Sequence, residues 1–376
     1  MRRNNIIVIC CSLLALLGGG AWAWVHFHGG HGVEKRADVL PPLKLRWSQR
    51  LKNAGPIPGG ATIDGSSVYV ADRNGNLYAL DLANGRPRWI YTNPDGFESK
   101  PLVWENLVII GDTGAVDTGA TVHAVAADSG NPIWTYHMWA GTHCTVGVSG
   151  QTALLGDDEG DIYALDARTG DKLWMGQALD RINSAPAIGP GDTPLAYFAG
   201  CDFFIRALDV RDGQQRFAVN VEAVCPGSPV LAGERLIVGT GRGRVLCLDN
   251  ADGRQLWEYN GVGKENMVYS SPAIADGLVV VGGARDGEVR CLELANGHEK
   301  WAFATRDDVD SSPAIDSGHV YVGSKDRNFY VLDLHSGAKI RSFAADHSFE
   351  ASPAIAAGVV IIGDMHGTVY CFELVK

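Results

Sequence analysis

Apolar and polar residues alternate along this chain in short bursts, without the wider stripe of an amphipathic helix. One stretch shows the pattern in full. Ala273-Ile274 is followed by an Asp276-Gly277 turn and then by the β-branched run Val279-Val280-Val281-Gly282. A second turn, Arg285-Asp286-Gly287, opens a third apolar segment. Third segments end in an acid, as in Tyr78-Ala79-Leu80-Asp81 and Tyr163-Ala164-Leu165-Asp166. After an Asn-Gly, Thr-Gly or Asp-Gly turn, a fourth segment ends in Trp. Short β-branched and aromatic runs bounded by glycine turns predict strands. Four of them joined by tight turns predict one antiparallel meander, the unit of a β-propeller blade.

The unit repeats. Ser270-Ser271-Pro272-Ala273-Ile274 recurs as Ser311-Ser312-Pro313-Ala314-Ile315 and as Ala351-Ser352-Pro353-Ala354-Ile355. Earlier copies are Ser99-Lys100-Pro101, Ser184-Ala185-Pro186 and Gly227-Ser228-Pro229. The fourth-strand aromatic counts the blades: Trp89, Trp134, Trp174, Phe217, Trp257 and Trp301, each four residues after a turn glycine. In the next repeat the position is Arg341, with Phe343 just beyond. The last repeat holds three strands and stops at Lys376. Its missing fourth strand is predicted at the other end of the chain, in Leu43-Lys44-Leu45-Arg46-Trp47, because Trp47 stands 42 residues before Trp89. An open ring would expose two strand edges. The prediction is therefore an all-β, eight-bladed propeller of four-stranded antiparallel blades, closed by the N-terminal strand. The aromatics are read as wedges between blades.

Composition adds the compartment. Arg2 and Arg3 precede an uncharged, largely apolar run over residues 6–25, long enough to span a bilayer as a helix. The positive flank keeps the N-terminus in the cytoplasm and sends the remainder across. Two readings stand: an uncleaved inner-membrane anchor, or a signal peptide cleaved near Ala21-Trp22-Ala23. The expected organisation is a signal-anchor or signal peptide over residues 1–28, a flexible linker over 29–42 and the propeller over 43–376, with the propeller on the periplasmic or extracytoplasmic side. His26, His28 and His31 fall in or beside the linker and are read as spacer. The formal charge of −11 repels phosphate backbones, so nucleic acid is excluded as a partner.

Ala164-Leu165-Asp166-Ala167-Arg168-Thr169-Gly170-Asp171-Lys172-Leu173-Trp174 carries a known signature. It resembles the PQQ-repeat propellers, whose motif is Ala-x-Asp-x-x-Thr-Gly-x-x-x-Trp. The stretches Ala79 to Trp89, Cys247 to Trp257 and Cys291 to Trp301 match with small changes, and the resemblance covers residues 43–376. It implies a fold and leaves function open. One branch of the family contains quinoprotein alcohol and glucose dehydrogenases, which hold PQQ and usually Ca²⁺ over the propeller axis. The other contains BamB-like periplasmic proteins, cofactor-free scaffolds of outer-membrane protein assembly. This chain has minimal blades, no adjacent cysteines in the propeller and no Cys-x-x-Cys-His. It departs from the BamB-like branch in lacking a good lipobox. The expectation is a non-enzymatic, monomeric envelope scaffold, with no cofactor, that binds other envelope proteins and reaches the membrane through its N-terminal segment. The alternatives are a PQQ/Ca-dependent dehydrogenase and an anchored ligand-binding sensor.

Functional residues are expected on the face that carries the fourth-to-first and second-to-third connections. Glu98, Asn183, Tyr269, Asp310 and Glu350 precede the Ser-x-Pro elements and are expected to ring the channel mouth, as a polar rim or as oxygen ligands for a cation. Trp139, His143, Met267 and Phe349 sit in the connecting loops and are candidate partner contacts, with packing clusters as the competing reading. Cys247, Cys291 and Cys371 replace the motif alanine and are expected to be buried free thiols. Cys201 and Cys225 are the candidate disulfide pair.

Overall fold

The computed structural model describes residues 43–114, 119–191, 194–261 and 266–374. The predicted helix over residues 6–25 and the linker over 29–42 lie outside the described residues. Within them the chain forms eight four-stranded antiparallel sheets. Blade one is typical, with strands Ala61–Asp64, Ser67–Ala71, Asn76–Asp81 and Pro87–Thr92 in sequential order. Blades two to seven repeat it. The innermost strands of neighbouring blades lie side by side around the axis. Proline is tolerated at the entry to these strands because an inner edge strand has no further strand to receive its N–H.

Blade eight has the predicted closure. Ala354–Ala356, Val359–Gly363 and Thr368–Leu374 pair in order, and the outer place is taken by Leu43–Arg50. That strand runs antiparallel from Leu43 opposite Leu374 to Arg50 opposite Thr368. Trp47 faces Cys371, as Trp174 faces Ala164 and Trp301 faces Cys291. The small residue across the ladder leaves room for the indole, and nothing larger than cysteine stands opposite a tryptophan wedge; Val331 takes the position only in blade seven, opposite Arg341.

Each wedge docks on the next blade in two ways. Its ring covers the glycine of that blade's third-to-fourth turn. Gly170 has φ +79°, and a Cβ there would lie 2.6 Å from the Trp134 ring, so both conformation and space demand glycine. Its indole N–H then donates to a backbone carbonyl of the same blade. The bonds are Trp47 to Leu82 (2.9 Å), Trp89 to Ala127 (3.0 Å), Trp134 to Ala167 (3.1 Å) and Trp174 to Val210 (2.8 Å). Trp257 to Leu294 (3.0 Å) and Trp301 to Leu334 (2.8 Å) complete the series. Phe217 keeps the packing on Gly253 without a donor.

The exception at Arg341 has a structural cause. Blade eight takes its third and fourth strands from opposite ends of the chain, so no turn glycine awaits a wedge from blade seven. Phe343 fills the junction instead, edge-on to Tyr370 at 5.4 Å and Phe372 at 5.0 Å.

A second repeated interaction was not legible beforehand. In four of the eight blades the residue after the second strand is a buried Asp that caps its own turn and accepts from the third strand. Asp72 takes the Asn74 and Asn76 N–H groups at 3.0 and 2.9 Å and the Tyr78 hydroxyl at 3.1 Å. Asp157 with Tyr163 (3.0 Å) and Asp364 with Tyr370 (3.0 Å) repeat it. Blade two substitutes His123, 2.9 Å from Asp112.

Trp301→Ala should cost about 3–5 kcal/mol in urea unfolding through the lost ring. Trp301→Phe, which loses the N–H bond but keeps an aromatic ring in the junction, should cost less, about 1–2 kcal/mol. Equal costs for the two would show that the bond, and not the ring, holds the blades.

Candidate functional site

The connections from one blade to the next share a layout. A buried side chain plugs the ring inside, the following residue forms the rim, and five residues after the plug the inner strand begins. Phe97, Ile182, Val268, Val309 and Phe349 are plugs with no exposed surface. Phe349, expected as an exposed partner contact, is thereby corrected. Its Cβ sits where a side chain at Gly323 would be, 2.6 Å from such a Cβ, and its ring packs on Phe329 and Tyr370. Its flanking charges made it look like a surface residue, whereas the repeat register makes it core.

Glu98, Asn183, Tyr269, Asp310 and Glu350 each directly follow a plug, so they occupy equivalent rim positions. His143, placed among the loop contacts by sequence, also belongs here, following the plug-position Thr142. The rim carboxylates are already engaged. Glu98 is paired with Arg73 at 3.0 Å and lies 3.7 Å from His143. Asp310 holds Lys325 at 2.7 Å. Glu350 accepts from Ser348 at 3.3 Å. Among the described residues no three His, Cys, Asp or Glu side chains gather as a metal ion would require. These oxygens stand on separate blades, and Glu98 and Asp310 already face cations, a donor set that does not fit Ca²⁺.

The rim continues as an ion chain across blades one to four. His143 Nδ1 lies 3.2 Å from Asp158, which Arg181 also holds at 3.0 Å. The hydrogen bond to Asp158, opposed by burial and helped by Glu98, raises the His143 pKa above its ordinary value.

Inside the rim, five of the eight junctions between inner-strand entries carry one bond type. A backbone N–H donates to the side-chain oxygen of the equivalent residue in the next blade. The pairs are Lys100 to Thr145 (3.2 Å), Ala185 to Ser228 (2.9 Å), Ser228 to Ser271 (2.9 Å), Ser271 to Ser312 (2.9 Å) and Ser312 to Ser352 (3.1 Å). The second serine of the repeat motif is thus a stitch around the axis.

Outside the rim, one offset separates the blades. Trp139 and Leu179 stand five residues after Trp134 and Trp174, and they are 85% and 80% exposed. The same offset in other blades gives Lys52, Pro94, Glu222, Arg306 and Asp346, all exposed. Phe203, in the blade-four turn, is 45% exposed and holds φ +68°. The Leu179 N–H donates to Asp202 beside it at 3.2 Å. Large exposed apolar side chains therefore stand on the connecting loops of consecutive blades, on the segments that also carry His143 and Arg181 of the ion chain. Sequence reasoning found Trp139 but missed Leu179 and Phe203; aligning the repeats by offset from the wedge would have found Leu179. Met267 is half-buried, in a bridge to Ala284. Tyr269 is 45% exposed.

All six cysteines of the described residues are free thiols. Cys201 and Cys225 are neighbours, since the Cys225 N–H donates to Gly200 at 2.9 Å, but the candidate bridge is not formed. Burial pushes Cys144, Cys225, Cys291 and Cys371 up to about 12, and Cys247 up to about 11. They are inert packing.

Wedge, closure and minimal connections define an eight-bladed propeller of the PQQ-repeat class. Residues 44–184, 118–202 and 201–340 match the family described as outer membrane protein assembly factor BamB, and the chain belongs to that family. It is 23% identical over 244 residues to the outer membrane protein assembly factor BamB of Yersinia pestis, covering 61% of this chain and 59% of the relative. The chain thus spans about three fifths of that relative's length. In structure it is similar to BamB from Moraxella catarrhalis, with a TM-score of 0.74 and 17% identity over 88% of this chain and 99% of the other. It is also similar to quinohemoprotein alcohol dehydrogenase from Comamonas testosteroni, with a TM-score of 0.73 and 13% identity over 89% and 76%. Identities this low show the fold alone.

A histidine with a raised pKa stabilises the fold most below its unfolded value of about 6.5. That stability is lost as pH rises through the folded value. His143→Gln should therefore lower Tm more at acid pH than at pH 8, by an effect of about 0.5 kcal/mol, because the group is partly exposed. A difference in Tm that is flat with pH would remove the ion chain from the account.

Proposed function

We propose that this propeller is a cofactor-free scaffold of the cell envelope, which docks other envelope proteins through the connecting loops of blades two to four. The observation that supports it is the substitution of Trp139 and Leu179 at a position that is charged or proline in five other blades. Exposed aromatic and aliphatic anchors beside charged groups have the anatomy of a contact patch, an apolar centre within a polar rim. Membership of the BamB family supports a role in outer-membrane protein assembly, and the apolar run over residues 6–25 supports export to the extracytoplasmic side. The dehydrogenase alternative has less support, because two of the three rim carboxylates, Glu98 and Asp310, are paired with Arg73, His143 and Lys325.

The test is affinity capture from cross-linked envelope extracts with full-length protein and with the Trp139→Ser/Leu179→Ser variant. Capture of a defined envelope partner should fall at least about tenfold, since truncated anchors cost roughly 2 kcal/mol or more. Tm should be unchanged because both side chains are exposed. Undiminished capture would sink the assignment of this face. Binding of added PQQ with dye-linked alcohol oxidation would sink the scaffold reading altogether.

A further inference from the structure

A cavity of about 230 Å³ lies on the flank of the ring, between blades six and seven. Phe303 and Arg306 line it from the end of the blade-six outer strand, and Asn328, Tyr330, Lys339 and Ser342 from the two outer strands of blade seven. The strand register explains the space. The residue paired with the third-strand tyrosine is Ile90 in blade one and Met175 in blade three, but Ser342 in blade seven. A short hydroxyl side chain stands where a long apolar one would fill the gap. The floor is aromatic, with the half-buried Phe303 ring edge-on to Tyr330 at 5.4 Å.

The charges set this cavity apart. Arg306 stands five residues past the blade-six wedge, and Lys339 stands opposite Leu332 at the start of the blade-seven outer strand. No other junction places a cation at both positions. The junction of blades seven and eight keeps the serine, as Ser48, but has Asp346 and Leu45 in place of the two cations. Arg306 uses its backbone N–H, on Asp326, but neither its guanidinium nor the Lys339 ammonium makes an ion pair or hydrogen bond among the described residues. Asp326 itself is saturated. Its Oδ1 accepts from the Asn328 backbone at 2.9 Å and from Asn328 Nδ2 at 3.1 Å, and its Oδ2 from the Arg306 N–H at 3.0 Å and the Tyr330 hydroxyl at 2.5 Å. No acidic side chain lines the cavity.

Two cations without counter-charge, one free hydroxyl and an aromatic floor meet in a single space. The guanidinium fork matches a carboxylate, and the ring edge and face suit a flat apolar body. The volume falls below the roughly 300 Å³ at which pockets for drug-sized ligands begin, so the ligand is small. We propose that the cavity between blades six and seven binds a small aromatic carboxylic acid, its carboxylate held by Arg306 and Lys339 and its ring laid against Phe303. The site is on other blades than the docking loops of blades two to four, so it does not rest on the scaffold reading.

The test is calorimetric titration of purified full-length protein with benzoate, beside benzyl alcohol, which lacks the charge, and acetate, which lacks the ring. Benzoate should bind saturably at one site, at least about threefold tighter than either control. The Arg306→Gln/Lys339→Gln variant should lose the binding. Ser342→Met should lose it too, since it keeps both cations and fills the cavity with the side chain that blade three carries. All three positions are exposed, so Tm should not change. The absence of saturable benzoate binding would overturn the proposal, as would wild-type affinity in either variant. Acetate binding as tightly as benzoate would also overturn it, by reducing the effect to surface charge.

Discussion

The structure depends on one contact: an indole laid over the turn glycine of the next blade, with its N–H given to a carbonyl beside it. A single four-stranded meander cannot bury both faces, so each blade needs a neighbour. The wedge supplies apolar area and a direction together. The ring buries surface, and the N–H, which would be unsatisfied in a dry junction, finds its acceptor only when the blades are in register. Glycine in the turn is the other half of the device. Where the pairing cannot exist, between blades seven and eight, the chain abandons tryptophan for Arg341 and packs Phe343 against Tyr370 and Phe372 instead.

Because the wedge and the plug fix the blades, the connecting residues outside them are free to vary. Charge or proline stands five residues past the wedge in most blades, and Trp139 and Leu179 stand there in two consecutive ones. The same freedom lets the rim carry Glu98, His143 and Asp310, which settle into ion pairs with neighbouring residues. These pairs are half-exposed and contribute little stability each. Their weight is in orientation, since they set the charged border of the apolar cluster.

The polar interior follows a stricter rule. Buried aspartates cap their turns and take tyrosine hydroxyls, and serine oxygens take N–H groups around the axis, so buried polar groups find partners from fixed positions in the repeat. On the flank that rule relaxes: Arg306 and Lys339 line one cavity between blades six and seven, and neither has a counter-charge among the described residues.

Strand count, blade count, closure by Trp47 and the wedge series were determined by the sequence. Each follows from local periodicity, turn glycines and the spacing of one large aromatic, which are properties of neighbours along the chain. The missing wedge at Arg341 was legible too, though its cause was not, because that cause is the meeting of two chain ends. The functional face was only partly legible. Trp139 was singled out by its chemistry, but Leu179 looks like any core leucine until the repeats are superposed. Phe349, flanked by charge, looks exposed until the plug position is seen. The pairing of Glu98 with Arg73 and His143, and the meeting of Arg306 and Lys339 in one cavity, join residues from separate blades or rest on what surrounds a side chain. Burial and charge pairing are decided by distances across the ring, and only the closed tertiary structure sets those.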